Sequence, residues 1–323
     1  MKRVEISYDI SINRRGSITS LWLPLPLDTD YQNLVSLNYE GNYSESGVFK
    51  ENIYNTPMLY AEWKGGEIKE IRVCSEAEIQ ERNTEWIKVK DDGNIPEDIK
   101  IFLLPTRHIP IDGIVKEYAD KIIKRKLGAV EKTLAIYDWI IENTYREPKI
   151  KACGLGDVKS ILESGNFCGK CVDIGSLFVA LVRASGTPAR EVFGIRVDES
   201  KIFQSLGKTG NITTAQHCKA EFYVAGYGWV PVDPADVKKV ILEESLTLKS
   251  PEVKSIKEYL CGNWKDNWLA FNYARDFTLN PPQNKAPLNY FMYPYCEVDD
   301  VPLNYFEPET FRYEISSWVI SKG

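Results

Sequence analysis

The chain opens on strict alternation: Val4, Ile6, Tyr8, Ile10 and Ile12 are apolar at every second position, which turns one face of a strand toward a core. Arg14-Arg15-Gly16 reads as a turn, and Ile18 to Leu23 resumes the extended pattern until Pro24 and Pro26 stop it. Leu59, Ala61 and Trp63 alternate up to Gly65-Gly66, and Ile71 and Val73 follow as the return of a hairpin. Residues 1–108 therefore predict a β-rich N-terminal domain. Near Pro110 the period lengthens. Ile111 to Lys126 and Ala129 to Thr144 read as helices separated at Gly128, the second with Val130, Leu134, Tyr137 and Ile141 three or four apart. A third helix is predicted from Cys171 to Ala184, where Ile174, Leu177, Phe178, Leu181 and Val182 line one face before Gly186-Thr187-Pro188 closes it. From Glu191 onward the pattern is of strands: Val192 to Val197, Ala220 to Val224, Trp229 to Val232 and Trp268 to Leu279. Helices followed by a run of antiparallel strands predict an α+β core over 109–245. Residues 246–323, rich in Trp, Tyr, Asn and Pro, read as an extension that completes or wraps that core, with a final strand from Phe311 to Ile320.

Composition narrows the function. With a net charge of −6 and a pI near 5.3, the chain lacks the basic stripe of a nucleic-acid binder. Its one lysine-rich patch, Lys116 to Lys132, is interleaved with acidic and apolar residues and reads as a solvated helix face. No run approaches the roughly 20 apolar residues of a membrane span, and the longest candidate, Leu177 to Val182, is helix core. Met1-Lys2-Arg3 leads straight into the first strand, so no signal peptide is read, and the compartment stays open between cytoplasm and export with a leader absent from this chain. Seven cysteines in 323 residues do not make a disulfide scaffold. Histidine occurs only as His108 and His217. His108, at the junction before Pro110, reads as structural or solvated.

Cys171 follows the loop Gly165 to Lys170 and begins the third helix. A helix N-terminus carries about half a positive charge and unpaired N–H groups, which favour thiolate over thiol and can hold an oxyanion. Lys170 adds to that field. Taken alone, Cys171 could equally be a small buried apolar residue. His217 opens a strand with Lys219, Glu221 and Tyr223 on its own face. Cys218, Ala220, Phe222 and Val224 lie on the other. Gly226-Tyr227-Gly228 turns the chain, and Asp233 ends the return strand. An imidazole and a carboxylate on one hairpin supply the base and its orienting group for nucleophilic catalysis. The simplest register, Val224 opposite Trp229, sets Asp233 against Ala220, so contact with His217 requires a bulge or an offset.

Other chemistries are weighed on the same residues. Cys168-x-x-Cys171 with His217 and Cys218 has the donor types of a zinc site, and a Cys168–Cys171 disulfide would mask the thiol. Gly207-Lys208-Thr209 imitates a phosphate loop, but Ile202 stands where its first glycine belongs. No cofactor motif is present.

Cys171-Val172-Asp173, Leu177-Phe178 and Leu181-Val182-Arg183-Ala184-Ser185-Gly186-Thr187-Pro188-Ala189-Arg190 together resemble the nucleophile helix of the transglutaminase-like superfamily. His217 with Ala220-Glu221-Phe222-Tyr223, and Gly228-Trp229-Val230-Pro231-Val232-Asp233-Pro234, are similar to its histidine and aspartate strands, in the same order. The likeness runs from about Ile111 to Val240. It implies a papain-like core with a helix-borne cysteine packed on an antiparallel sheet, and a triad of Cys171, His217 and Asp233. It also implies a thioester acyl-enzyme formed on a protein or peptide substrate without a cofactor. Water completes a peptidase or amidase reaction, the reading preferred here. An amine completes a transamidation, and a non-catalytic binding module is the third reading. Gln216-His217-Cys218-Lys219 and Asp233-Pro234-Ala235-Asp236 resemble a bacterial subgroup whose members are often exported. Where many relatives have alanine and tryptophan after the histidine, this chain has Cys218-Lys219. Lys219 shares the face of His217 and would favour an acidic or carboxylate-bearing substrate. Asn166, or a tryptophan from elsewhere, is the expected side chain of the oxyanion hole. The oligomeric state is not read from the sequence.

Overall fold

The computed structural model describes residues 1–86, 93–124 and 128–321. Two antiparallel five-stranded sheets form a sandwich. One orders Gly210–Asn211, Phe311–Ser321, Lys2–Ile12, Lys69–Ile79 and Gln32–Gly41; the other orders Val301–Pro302, Tyr295–Val298, Ile18–Pro24, Pro57–Lys64 and Glu45–Lys50. The alternation of the first strand has the predicted effect: Val4, Ile6, Tyr8, Ile10 and Ile12 are buried and share one core with Leu21, Leu23, Leu59 and Trp63 of the facing sheet.

The expected hairpin at Gly65-Gly66 does not form. Pro57–Lys64 pairs with Ile18–Pro24 and Glu45–Lys50, whereas Lys69–Ile79 pairs in the other sheet, so the chain crosses between layers here. The two glycines, at φ 78° and 88°, take the left-handed backbone of that corner. Alternation marks which face of a strand is buried but not which strand lies beside it.

A four-stranded antiparallel sheet orders Gly228–Val232, Gln216–Val224, Ala189–Arg196 and Trp268–Asn272. Six α-helices accompany it among the described residues: α1 (Gly113–Ile122), α2 (Ala129–Asn143), α3 (Val158–Ser164), α4 (Cys171–Ala184), α5 (Pro234–Glu243) and α6 (Pro251–Tyr259). α4 is buried on every side up to Arg183, its apolar residues packing on Ala220, Phe222 and Val224 of the sheet and on Ile136, Tyr137 and Ile140 of α2. Each such large side chain contributes about 1.5–3 kcal/mol on burial. The opposite face of the sheet, through Ile195, Val197, Leu269 and Phe271, joins the core of the sandwich. The sheet is thus held between α4 and the N-terminal strands, an α+β arrangement as the pattern predicts.

Boundaries differ in informative places. The first helix spans Gly113–Ile122, and the end expected for it at Lys126 lies outside the described residues. The strand expected from Trp268 to Leu279 stops at Asn272, after which Arg275 turns inward to an ion pair with Glu191 at 3.0 Å. The C-terminal segment divides its strands. Trp268–Asn272 joins the four-stranded sheet, while Tyr295–Val298 and Phe311–Ser321 join the sandwich. Among the described residues no helix is long and apolar enough to cross a membrane.

Candidate active site

Cys171 is the first residue of α4 and is 2% exposed. The Lys170 N–H donates to Asp173 Oδ2 at 2.9 Å, and Asp173 Oδ1 accepts the N–H groups of Leu155 at 3.0 Å and Gly156 at 2.8 Å. One carboxylate therefore ties the incoming loop to the first turn of the helix. Gly154 allows it: a Cβ there would stand 1.9 Å from Asp173 Oδ2, at a φ of 96°. The Val172 N–H donates to Cys153 O at 2.9 Å, which holds Cys153 beside Cys171.

On the sheet, Val224 pairs with Gly228 and Ala220 with Val232, one residue off the simplest register. Asp233 consequently follows on opposite Lys219, two residues from His217 and on its face. The chain then enters α5 with Asp233 as N-cap: its Oδ1 accepts the Asp236 N–H at 2.9 Å, and Pro234 occupies the first helical turn. This cap turns Oδ2 toward His217 Nε2, at 2.8 Å. The offset anticipated from the sequence is a shifted register combined with a helix cap, and no bulge is needed.

A buried network surrounds the pair. Asp236 Oδ1 lies 3.3 Å from His217 Nε2 but 2.5 Å from Arg196 Nη2, and Lys219 Nζ is 3.6 Å from Asp233 Oδ2. Burial opposes charge on His217, but Asp236 and Asp233 outweigh it and raise its pKa. Burial and the charge of Asp236 raise Asp233, whereas Asp236 is held low because Arg196 and His217 overcome its burial. The Cys171 thiol is held well below its ordinary value by hydrogen bonds with Cys153 and Cys218, and then by the hydrogen bond and charge of His217, against the effect of burial. Cys153 has a single thiol proton, for which Gln216 O competes at 3.4 Å, so His217 is the steadier contributor. With a thiolate at Cys171, the cations Arg196, His217 and Lys219 balance the anions Asp233, Asp236 and Cys171, and the buried cluster is neutral. Since Nε2 serves Asp233, Nδ1 is the ring nitrogen left for Cys171.

Cys171 and His217 line one cavity of about 460 Å³ together with Cys153, Gln216 and Lys170. Asn166 is not in its wall: it is exposed, and its Oδ1 accepts from the Tyr145 hydroxyl. Lys219 is not in it either. Its ammonium is buried behind His217, against the rings of Trp264 and Trp268. The four donors of the supposed zinc set are not gathered. The thiols acting on Cys171 are Cys153 and Cys218, and Cys168 and Cys171 are both free. Among the described residues, the metal-ligating atoms that come within 4.8 Å of one another are those of His217, Asp233 and Asp236, where Arg196 and Lys219 already supply positive charge. His108 stands elsewhere, its ring and N–H held by Asp276.

Sequence reasoning missed Cys153, Arg196 and Gln216. Gln216 carried a usable signal, being adjacent to His217 on a strand that enters the site. Its Nε2 is buried without a hydrogen-bond partner, an unusual state for an amide. Cys153 carried none, because it lies in an aperiodic loop.

A thiol heading a buried helix, set against an imidazole–carboxylate pair on an antiparallel sheet, defines a thiol enzyme core of the papain-like kind. Residues 116–234 match the Transglutaminase-like superfamily, and the chain belongs to that superfamily. It is 41% identical over 329 residues to an uncharacterized protein of Haemophilus influenzae, across 96% of this chain and 89% of that relative. Its fold is similar to the crystal structure of a candidate cysteine protease from Cytophaga hutchinsonii, with a TM-score of 0.63 at 16% identity over 100% of this chain and 92% of that one. Membership in the superfamily supports a cysteine-dependent enzyme.

Proposed function

We propose that the protein is a cysteine-dependent amide hydrolase, a peptidase or amidase that works through a thioester on a protein or peptide substrate. The observation that carries this reading is geometric: Cys171 at the head of α4 shares the wall of an open cavity with His217, whose Nε2 is fixed 2.8 Å from Asp233 Oδ2. The Cys171 thiolate attacks the amide carbonyl, and the oxyanion is received by the Cys171 N–H at the head of α4 and by Gln216 Nε2. As the C–N bond breaks, His217 Nδ1–H protonates the departing amine and leaves a thioester. The neutral imidazole then takes a proton from water, whose oxygen attacks the thioester carbonyl. Collapse releases the acid and restores thiolate and imidazolium. Asp233 holds the ring with Nε2–H toward itself and stabilises the imidazolium. Water is the acceptor in this reading, and an amine in its place would make the reaction a transamidation.

The test is incubation with a peptide mixture, read by mass spectrometry with and without a fluorescent primary amine. Hydrolysed peptides, absent with Cys171→Ala, are expected. Amine-labelled products in place of hydrolysis would make the enzyme a transferase, and equal turnover by Cys171→Ala would remove the cysteine mechanism altogether.

A further inference from the structure

We propose that the cavity beside Cys171 selects an acyl donor bearing a carboxylate close to the scissile amide; this rests on the amide-hydrolase reading and adds its substrate class. Besides His217, five cationic side chains line the cavity, Arg146, Lys170, Arg196, Lys208 and Lys239, and no Asp or Glu is among its lining residues. Two of the five are engaged already: Arg196 by Asp236, and Lys208 by the Thr214 hydroxyl at 2.9 Å. Arg146 differs. Its Nε and Nη1 are shielded from solvent yet have no hydrogen-bond partner. Each of these N–H groups makes a planar fork with Nη2–H and not with the other, and either fork matches the two oxygens of a carboxylate; leaving them unmet costs free energy that a ligand recovers.

Lys239, on α5, lies in the same field. Burial first, then the like charges of Arg196 and Arg146, push its ammonium down to about 8, although Asp236 and Glu243 pull the other way. An arriving carboxylate would relieve that repulsion. Arg146 also acts on Cys153, which in turn bonds Cys171, so the unmet cation sits near the reacting sulfur. Tyr293 and Tyr305, stacked at 4.6 Å between centroids, contribute an aromatic part of the wall, suited to the aliphatic stem of the same substrate residue. The cation expected from the sequence, Lys219, is committed inside the protein. Selectivity falls instead to Arg146 and Lys239, which come from the short strand Tyr145–Arg146 and from α5.

The first experiment needs no known substrate. Iodoacetate and iodoacetamide differ in a carboxylate, and their rates of alkylating Cys171 are measured at low salt, site-resolved by mass spectrometry. The iodoacetate-to-iodoacetamide ratio is divided by the same ratio for free cysteine. A normalised ratio of about ten or more is expected, the size of a charge-assisted hydrogen bond, falling with added salt. Arg146→Gln and Lys239→Gln should each bring it severalfold toward one, while Arg146→Lys retains part of it; thermal melts of the variants verify that they are folded. Rapid reaction with both reagents at a normalised ratio near or below one overturns the carboxylate proposal and leaves the hydrolase standing. Failure of Cys171 to react with either reagent overturns the hydrolase reading itself. Two peptide pairs then identify the source of the carboxylate: Glu against Gln within an amidated peptide, and a C-terminal acid against its amide. About tenfold higher kcat/KM for the acid member of one pair is expected, and no difference in either pair overturns the proposal.

Discussion

Asp233→Asn and Asp236→Asn change one atom each in neighbouring buried carboxylates, and their effects should separate sharply. His217 Nε2 is 2.8 Å from Asp233 Oδ2, and both side chains are almost fully buried. At an effective dielectric of 20, opposite unit charges at that distance interact by about 6 kcal/mol. At about 1.4 kcal/mol per decade that is roughly four powers of ten, the scale also known for Asp-to-Asn changes in such triads, where the amide favours the wrong imidazole tautomer. Asp236 keeps its charge near the imidazole, but its Oδ1, 2.5 Å from Arg196 Nη2, cannot take over the hydrogen bond that orients the ring. The asparagine side chain introduced by Asp233→Asn would still cap α5, so stability should fall little. Removing the Asp233 charge lowers the His217 pKa and raises that of Cys171, so the pH interval over which thiolate and imidazolium coexist narrows from both sides. Asp236→Asn instead leaves Arg196 buried without its counter-ion and should cost about 3–5 kcal/mol of stability. The assay is the pH profile of Cys171 alkylation, with urea unfolding for each variant. A wild-type profile for Asp233→Asn, or a kinetic loss confined to Asp236→Asn, would refute the assignment of Asp233 as the orienting group.

Three further outcomes are expected. Gln216→Ala should lower kcat by about 10²–10³ with little change in KM if its amide receives the oxyanion; a KM effect alone would make it a binding residue. Cys153→Ala should raise the pH midpoint of Cys171 alkylation, but by less than His217→Ala does, since the Cys153 proton is shared with Gln216 O; the two profiles compared directly decide this. Glu221 is fully buried, paired with Arg82 and with Arg190 at 2.7 Å, and these cations outweigh burial and lower its pKa. The stability it contributes is therefore present above the unfolded carboxylate value of about 4.3 and lost as pH falls through its lower folded value. Urea unfolding should find Glu221→Gln less stable than wild type at neutral pH, with the gap closing in acid.

The pattern of the sequence reached the elements of the site more readily than its surroundings. Cys171, His217 and Asp233 were legible because each sits at the end of a periodic segment, where apolar spacing marks a helix or strand and the polar residue at its edge stands out. The sheet partners were not legible from alternation alone: Gly65-Gly66 looks like a hairpin but carries the chain between layers. Lys219 was placed on the correct strand face, yet that face turns inward beneath Trp264 and Trp268, which arrive from a distant segment. Asn166 is near Cys171 along the chain but outside the cavity wall, whereas Gln216 and Cys153 reach the cavity through tertiary contacts that no local period records.

The strand Lys2–Ile12 lies between Lys69–Ile79 and Phe311–Ser321, with Val4 opposite Val319. One edge of it therefore waits on a segment made some three hundred residues later, and so does the part of the cavity wall formed by Tyr305, Phe306 and Tyr313. During synthesis the helix bearing Cys171 can pack well before the cavity beside it is enclosed. Loss of the Phe311–Ser321 strand would strip the cavity of lining and expose an unpaired, apolar-faced strand edge to other chains. Completion of the cavity beside Cys171 and protection against aggregation thus depend on the same late strand.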